Sequence, residues 1–277
     1  MKLVSPAEVD ALLSWPDMVD AIETAFRQGM IQPVRHHHTV DRPDGAASTL
    51  LLMPAWSDFD ALGDSSKGYM GVKIVTVSPD NGAVSKPAVM GVYLLLDGKT
   101  GEPKALIDGQ RLTLWRTAGA SALAARYLAR EDASKLVVLG AGALSGFLAR
   151  AHSAIRPIDE IFIWNRNFAG AEKIAAGLVA DGFNARAVED KDEAISRADI
   201  ITAGTLSTEP LILGRHLKPG THVDLIGAFT PTMRESDDAC VERARVFVDT
   251  KEGALKEGGD IVQPIRAGIV TADHVVG

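Results

Sequence analysis

The sequence predicts an α/β protein of two domains, and three observations predict it. Residues 47–96 carry β-rich runs broken by Pro, Gly, Asp and Asn clusters; a long Leu-, Ala- and Arg-rich helical segment spans 110–130; from residue 135 onward short strands and helices alternate. At 277 residues the length suits about two domains of roughly 150 residues each.

The elements follow in order. Ser5-Pro6-Ala7-Glu8 offers a capping hydroxyl, a proline at the first helical position and a carboxylate three residues after the cap, so a helix starts there. Ser14-Trp15-Pro16-Asp17 repeats the signal, and Met18, Val19, Ile22, Ala25 and Phe26 follow at helical spacing. Strands are expected over 48–53, 71–77 and 89–96, and Asp97-Gly98-Lys99-Thr100-Gly101 reads as a tight turn into a further strand at 104–107. This half is α+β with antiparallel character. Beyond the long helix come strand 135–139, a helix from Gly142, strand 161–164, helix 169–180, strand 185–188, a helix near 193–197, and strands 200–203 and 222–226. Such alternation implies a parallel sheet covered on both faces.

Composition excludes several classes. Lys and Arg total 29 against 36 Asp and Glu, a formal charge of −7, the opposite of a nucleic-acid-binding footprint. Cys240 is the single cysteine, so no intrachain disulfide, Cys-rich zinc site or CxxC pair can form. No apolar run approaches the ~18 residues of a membrane span. A cytoplasmic protein without nucleic-acid or membrane partners is expected.

Val137-Val138-Leu139-Gly140-Ala141-Gly142-Ala143 places two glycines after a buried strand and ahead of a helix. In that context Gly140 permits the tight turn, Gly142 lets the backbone approach a pyrophosphate, and a small Ser145 or Gly146 permits close packing of helix on strand. The alternative is a turn that merely needs glycine; the flanking strand, helix and second strand favour a Rossmann dinucleotide site that includes Ala143. The second strand ends in Asn165-Arg166-Asn167, about 25 residues after Gly140, where an NAD-specific site carries an acidic residue for the ribose hydroxyl. Arg166 stands there instead. A guanidinium can pair with a 2′-phosphate and stack on adenine, so NADP(H) is favoured and NAD(H) stays open. Thr205, just past the strand at 200–203, lies where a Rossmann sheet meets its cofactor, or is a plain loop threonine.

Three cations precede this domain. Lys73 sits in Gly71-Val72-Lys73-Ile74-Val75, a strand of otherwise apolar residues, and a lysine there is costly unless paired. Arg116 has only Leu112, Thr113, Gly119 and Ala120 three and four residues away, none able to neutralise it. Arg35 precedes an extended segment. Singly, each reads as a solvated or structurally paired charge; together they suggest a small anionic substrate. His36-His37-His38 reads as a polar strand rather than a metal site, because consecutive residues alternate faces. Ser48, Ser66 and Ser85 lack a nucleophile-elbow context.

At these residues the sequence resembles the ornithine cyclodeaminase and mu-crystallin family. The resemblance is carried by Arg35, Gly71-Val72-Lys73 with Pro79-Asp80-Asn81, Leu114-Trp115-Arg116-Thr117-Ala118, Gly140-Ala141-Gly142, Ile226-Gly227-Ala228 with Arg234-Glu235, and Val248-Asp249 with Gly258-Gly259-Asp260. It implies a Rossmann dinucleotide-binding domain plus an α+β substrate and dimerisation domain, hence a homodimer. The expected division is 1–114 plus 263–277 for the substrate domain and 115–262 for the NAD(P)-binding domain. The resemblance implies that Arg35, Lys73 and Arg116 grip a substrate carboxylate and that Thr117 lies beside the nicotinamide.

One departure is informative. Cyclodeaminases of the family place an aspartate where this chain has Phe229, in Ile226-Gly227-Ala228-Phe229-Thr230-Pro231, and phenylalanine can neither accept a proton nor orient a water. Asp224, five residues upstream, falls on the other face of a continuing strand. The resemblance therefore points to the cyclic ketimine reductases of the family. Reduction of delta-1-pyrroline-2-carboxylate to L-proline, and of its six-membered homologue to L-pipecolate, is the expected activity, with Lys73 and Arg116 catalytic and Phe229 walling the pocket. Cyclodeamination of ornithine, an alanine-type dehydrogenase, and NADP-dependent binding without catalysis are the alternatives.

Overall fold

A computed structural model describes residues 1–277 and divides them into two units, Met1–Ala120 and Ser121–Gly277. In the first, β1 (Lys2–Val4) leads into α1 (Pro6–Leu12), whose capping box is complete: the Ser5 hydroxyl accepts from the Glu8 amide, and the Glu8 carboxylate accepts from the Ser5 amide at 2.8 Å. Ser14 caps α2 (Trp15–Gln28) through the Asp17 amide. There follow β2 (Met30–Ile31), β3 (His36–Val40), β4 (Ser48–Ser57), the short α3 (Phe59–Leu62), β5 (Tyr69–Val77), β6 (Val89–Asp97), β7 (Pro103–Asp108) and α4 (Gly109–Leu128). The sheet order is β1-β7-β6-β5-β4-β2, with β3 also on β4; every pairing is antiparallel except β1 with β7. The Asp97 carboxylate accepts from the amides of Lys99 and Thr100 and so closes the β6–β7 turn.

Aromatic and ionic contacts seat α4 on the N-terminal helices. Trp115 stacks on Trp15 at 4.1 Å, its Nε1 donates to Asp10 at 2.9 Å, and Arg111 pairs with the same carboxylate at 2.8 Å. A Cβ on Gly119 would lie 2.7 Å from Met18 Cγ, so only glycine permits this approach of α4 to α2.

The second unit alternates β8 (Lys135–Leu139), α5 (Ser145–Ile155), β9 (Glu160–Trp164), α6 (Phe168–Ala180), β10 (Ala185–Ala187), α7 (Lys191–Arg197), β11 (Ile200–Ala203) and β12 (His222–Leu225). Its five strands are all parallel in the order β10-β9-β8-β11-β12. Both faces are apolar: Leu136, Val138, Ile161 and Ile163 pack with Ala149, Ala171 and Leu178 on one, and Val137, Leu139, Phe162 and Ile201 with Ile195 on the other. Alternation along doubly covered strands produces this pattern. The chain runs outward from β8 to β10 and then returns to β11, so the β8–β11 boundary is the topological switch point, where α/β sheets bind ligands at their carboxyl ends.

One expectation is corrected. The helix after the glycine loop begins at Ser145 rather than Gly142, because Gly142–Leu144 form a turn closed by the Ser145 amide on the Gly142 carbonyl (3.2 Å). After α8 (Asp238–Arg243), β13 (Val246–Phe247), α9 (Lys251–Glu257) and α10 (Gly259–Arg266), the terminal β14 (Val275–Val276) pairs in parallel with β13, and His274 Nε2 lies 2.9 Å from the Val241 carbonyl.

Asp199, buried at the start of β11, shows how the parallel sheet is anchored. It pairs with Lys218 at 2.9 Å and Arg130 at 3.2 Å and accepts from the Ser134 and Lys135 amides. Burial raises its pKa, but Lys218 and the two amides outweigh it and hold the carboxyl at about 2. The folded pKa lies below the usual 3.8, so this stabilisation is present above pH 3.8 and is lost as pH falls through about 2. Asp199→Ala is expected to cost about 2 kcal/mol in urea denaturation at neutral pH, and to flatten that acid limb.

Candidate active site

In the first unit the geometry gathers positive charge. Lys73 occupies the middle of β5, the strand flanked by β4 and β6, directly opposite Met53 on one side and Tyr93 on the other. The Tyr93 ring leans over Gly71: a Cβ there would fall 2.0 Å from Tyr93 Oη, so the glycine two residues before Lys73 makes room for the phenol. Burial holds the Tyr93 hydroxyl above its ordinary pKa. Lys73 is half-buried, and its ammonium is pushed down to about 8, first by burial and then by the positive charges of Arg116 and Arg35. Both groups acting on its charge are guanidiniums. Like charges at this spacing disfavour the lysine's charged form and make an anion a favourable neighbour for it.

The structure thus brings Arg35, Lys73 and Arg116 together from three elements. Arg35 lies on the exposed segment between β2 and β3, and Arg116 is an exposed position of α4 next to the anchored Trp115. Thr117 follows it, half-buried on the same helix. His36, His37 and His38 lie along β3, exposed and paired with Leu52, Leu51 and Leu50.

In the second unit the glycine loop stands at the switch point. Gly140 has a φ of +110°, a conformation that only glycine adopts freely, and its amide donates to the Trp164 carbonyl at 2.8 Å. A Cβ on Gly142 would meet nothing within 4 Å, so the backbone there is open to a close-lying group. Ala143 continues the turn into α5, which has no side-chain cap at Leu144. The turn carrying Asn165, Arg166 and Asn167 lies alongside: a Cβ on Gly170 would meet Asn165 Nδ2 at 3.1 Å and Ala141 Cβ at 3.2 Å. Asn165 Nδ2 donates to the Asn167 carbonyl, and Arg166 is exposed. Thr205 lies across the loop, its Cγ2 3.3 Å from where a Gly140 Cβ would be. The tight glycine turn and the open Gly142 backbone fit the pyrophosphate of a dinucleotide. A sequence profile of the ornithine cyclodeaminase/mu-crystallin family matches residues 1–277.

The chain belongs to that family. It is 37% identical over 281 residues to the delta(1)-pyrroline-2-carboxylate reductase of Paracoccus denitrificans, covering all of this chain and 84% of that protein. Its fold matches the Thermococcus litoralis delta(1)-pyrroline-2-carboxylate reductase in complex with NADH and L-proline, with a TM-score of 0.87, 30% identity and coverage of 99% and 84% of the two chains. An archaeal alanine dehydrogenase dimer with bound NAD matches at a TM-score of 0.84 and 28% identity, covering 99% and 82%.

Two buried acidic residues, Asp224 and Glu235, lie on and beyond β12. Asp224 is buried, accepts from the Thr202 hydroxyl at 2.7 Å and lies 3.6 Å from His152 Nε2, so it is committed to the interior. Phe229, on the loop beyond, is 63% exposed. Sequence reasoning assigned no role to Glu235, whose carboxylate accepts from Thr205 and Gly227. Its place in the Arg234-Glu235 pair was the one signal for it.

Proposed function

We propose that this protein reduces delta-1-pyrroline-2-carboxylate to L-proline, and its six-membered homologue to L-pipecolate, with a nicotinamide dinucleotide as reductant. The observation that carries the reading is the cation cluster: a half-buried lysine whose charge is acted on by two guanidiniums is suited to a small carboxylate. Arg116 and Arg35 hold that carboxylate by charge-assisted hydrogen bonds, Arg116 through its planar fork. Lys73 either joins them or gives its proton to the imine nitrogen. A reduced nicotinamide, when bound, would supply the hydride that reduction of the imine requires. Gly140, Gly142 and Ala143 would receive its pyrophosphate and Asn165, Arg166 and Asn167 its adenosine end, with Thr205 at the same sheet edge. Phe229 stands where a cyclodeaminase carries its aspartate and offers no group that could accept a proton or orient a water.

Arg166 supports NADP(H) over NAD(H), because no carboxylate stands at the turn to repel a 2′-phosphate. The wild-type protein is therefore expected to show the higher kcat/KM with NADPH, and Arg166→Asp to reverse that preference; equal ratios in both proteins would remove Arg166 from the adenosine site. The same reading makes the protein a homodimer, as the matched alanine dehydrogenase is described, which sedimentation tests.

That structural match also favours a second reading, an alanine-type dehydrogenase. A panel of cyclic imines and L-alanine, run with both dinucleotides, separates the two. Turnover of neither ring size, with NAD+-dependent oxidation of L-alanine, would replace the first reading by the second.

A further inference from the structure

Glu235 is fully buried, and its carboxylate is hydrogen-bonded to two loops. Oε1 accepts from the Thr205 amide at 2.6 Å and the Thr205 hydroxyl at 2.7 Å; Oε2 accepts from the Gly227 amide at 2.8 Å. Thr205 follows β11 and Gly227 follows β12, so one carboxylate ties together two loops at the carboxyl edge of the parallel sheet. Through the Thr205 methyl, 3.3 Å from the Cβ position of Gly140, the tie reaches the glycine loop after β8. A Cβ on Gly227 would fall 2.2 Å from the Thr205 carbonyl oxygen and 2.5 Å from Glu235 Oε1, so glycine is required for this closeness.

Glu235 is itself held from behind. Its amide donates to Asp260 Oδ1 at 3.0 Å, an oxygen that also accepts from the Ser236 amide and hydroxyl, and its carbonyl accepts from Leu211 and Ile212. Two buried carboxylates are a costly way to hold loops, and burial pushes the Glu235 pKa up. Three donors converging on it stiffen the rim of the switch point.

We propose that Glu235 is a positioning residue for the dinucleotide: it fixes Thr205, and through Thr205 the Gly140 turn, at the spacing a bound pyrophosphate and nicotinamide require. The proposal rests on the reading of Gly140 and Gly142 as a dinucleotide site. Being buried, Glu235 acts through those loops and not by contact.

Glu235→Gln keeps the shape but turns one acceptor into a donor facing another donor. Fluorescence titration of NADH and NADPH, well below the variant's Tm, is expected to show a Kd raised about tenfold or more, the loss of one charge-assisted bond, with kcat at saturating cofactor reduced far less. Thr205→Val removes one of the three bonds; it is expected to raise Kd less, and to add little in the Glu235→Gln background. A Kd unchanged in Glu235→Gln while Tm falls would assign the residue to stability alone and overturn the proposal. If Glu235→Gln does not fold, Thr205→Val decides, and wild-type affinity in it overturns the proposal. Wild-type protein that binds neither NADH nor NADPH would remove the dinucleotide reading and the positioning role with it.

Discussion

Arg116→Ala is expected to lower kcat/KM for delta-1-pyrroline-2-carboxylate by about 10²-fold or more, because truncating one partner of a charge pair that the bound substrate shields from water costs about 2–5 kcal/mol. Arg116→Lys is expected to recover only part of the loss, since a single ammonium cannot reproduce the bidentate fork. Dinucleotide affinity is expected to stay at the wild-type value, as the glycine loop belongs to the other unit. Initial rates with varied imino acid, beside a dinucleotide titration, check both halves; wild-type kcat/KM would remove Arg116 from the substrate grip.

Lys73→Ala is expected to lower kcat/KM by about 10²–10⁴-fold, the range of a lost general acid. Both roles open to Lys73, anion grip and proton donor, require the ammonium. With the group held at about 8, kcat/KM in the wild type should fall as pH rises through about 8, and this limb should vanish in the variant. The sign for stability is the reverse. The folded chain releases this proton near 8 and the unfolded chain near 10.5, so the fold gains stability as pH rises between those values. Removing the repelled charge should accordingly raise Tm in Lys73→Met even as activity is lost. A pH profile unchanged by the substitution would assign the limb elsewhere.

What the sequence made legible follows from physics that is local. β8 and β11 were bounded correctly because strands buried on both faces are short apolar runs, and Gly140 was readable because its φ admits little else. Lys73 stood out as a charge in an apolar strand. The cation cluster itself was only suggested, since its members lie on a loop, a strand and a helix far apart in the chain. Glu235 was silent because its partners are 30 and 8 residues away, and no periodicity records which loops meet at a sheet edge. The Tyr93 ring over Gly71 was hidden for the same reason. The late start of α5 escaped because glycine marks a turn and a helix end alike.

The most direct measurement follows absorbance at the reduced-nicotinamide band while the wild-type protein is mixed with delta-1-pyrroline-2-carboxylate, with ammonia from L-ornithine assayed in parallel. Oxidation of the dinucleotide with formation of L-proline, and no ammonia, is the expected result. Ammonia from ornithine without imine reduction would mean that a phenylalanine at position 229 does not abolish deamination, and would contradict the reductase reading.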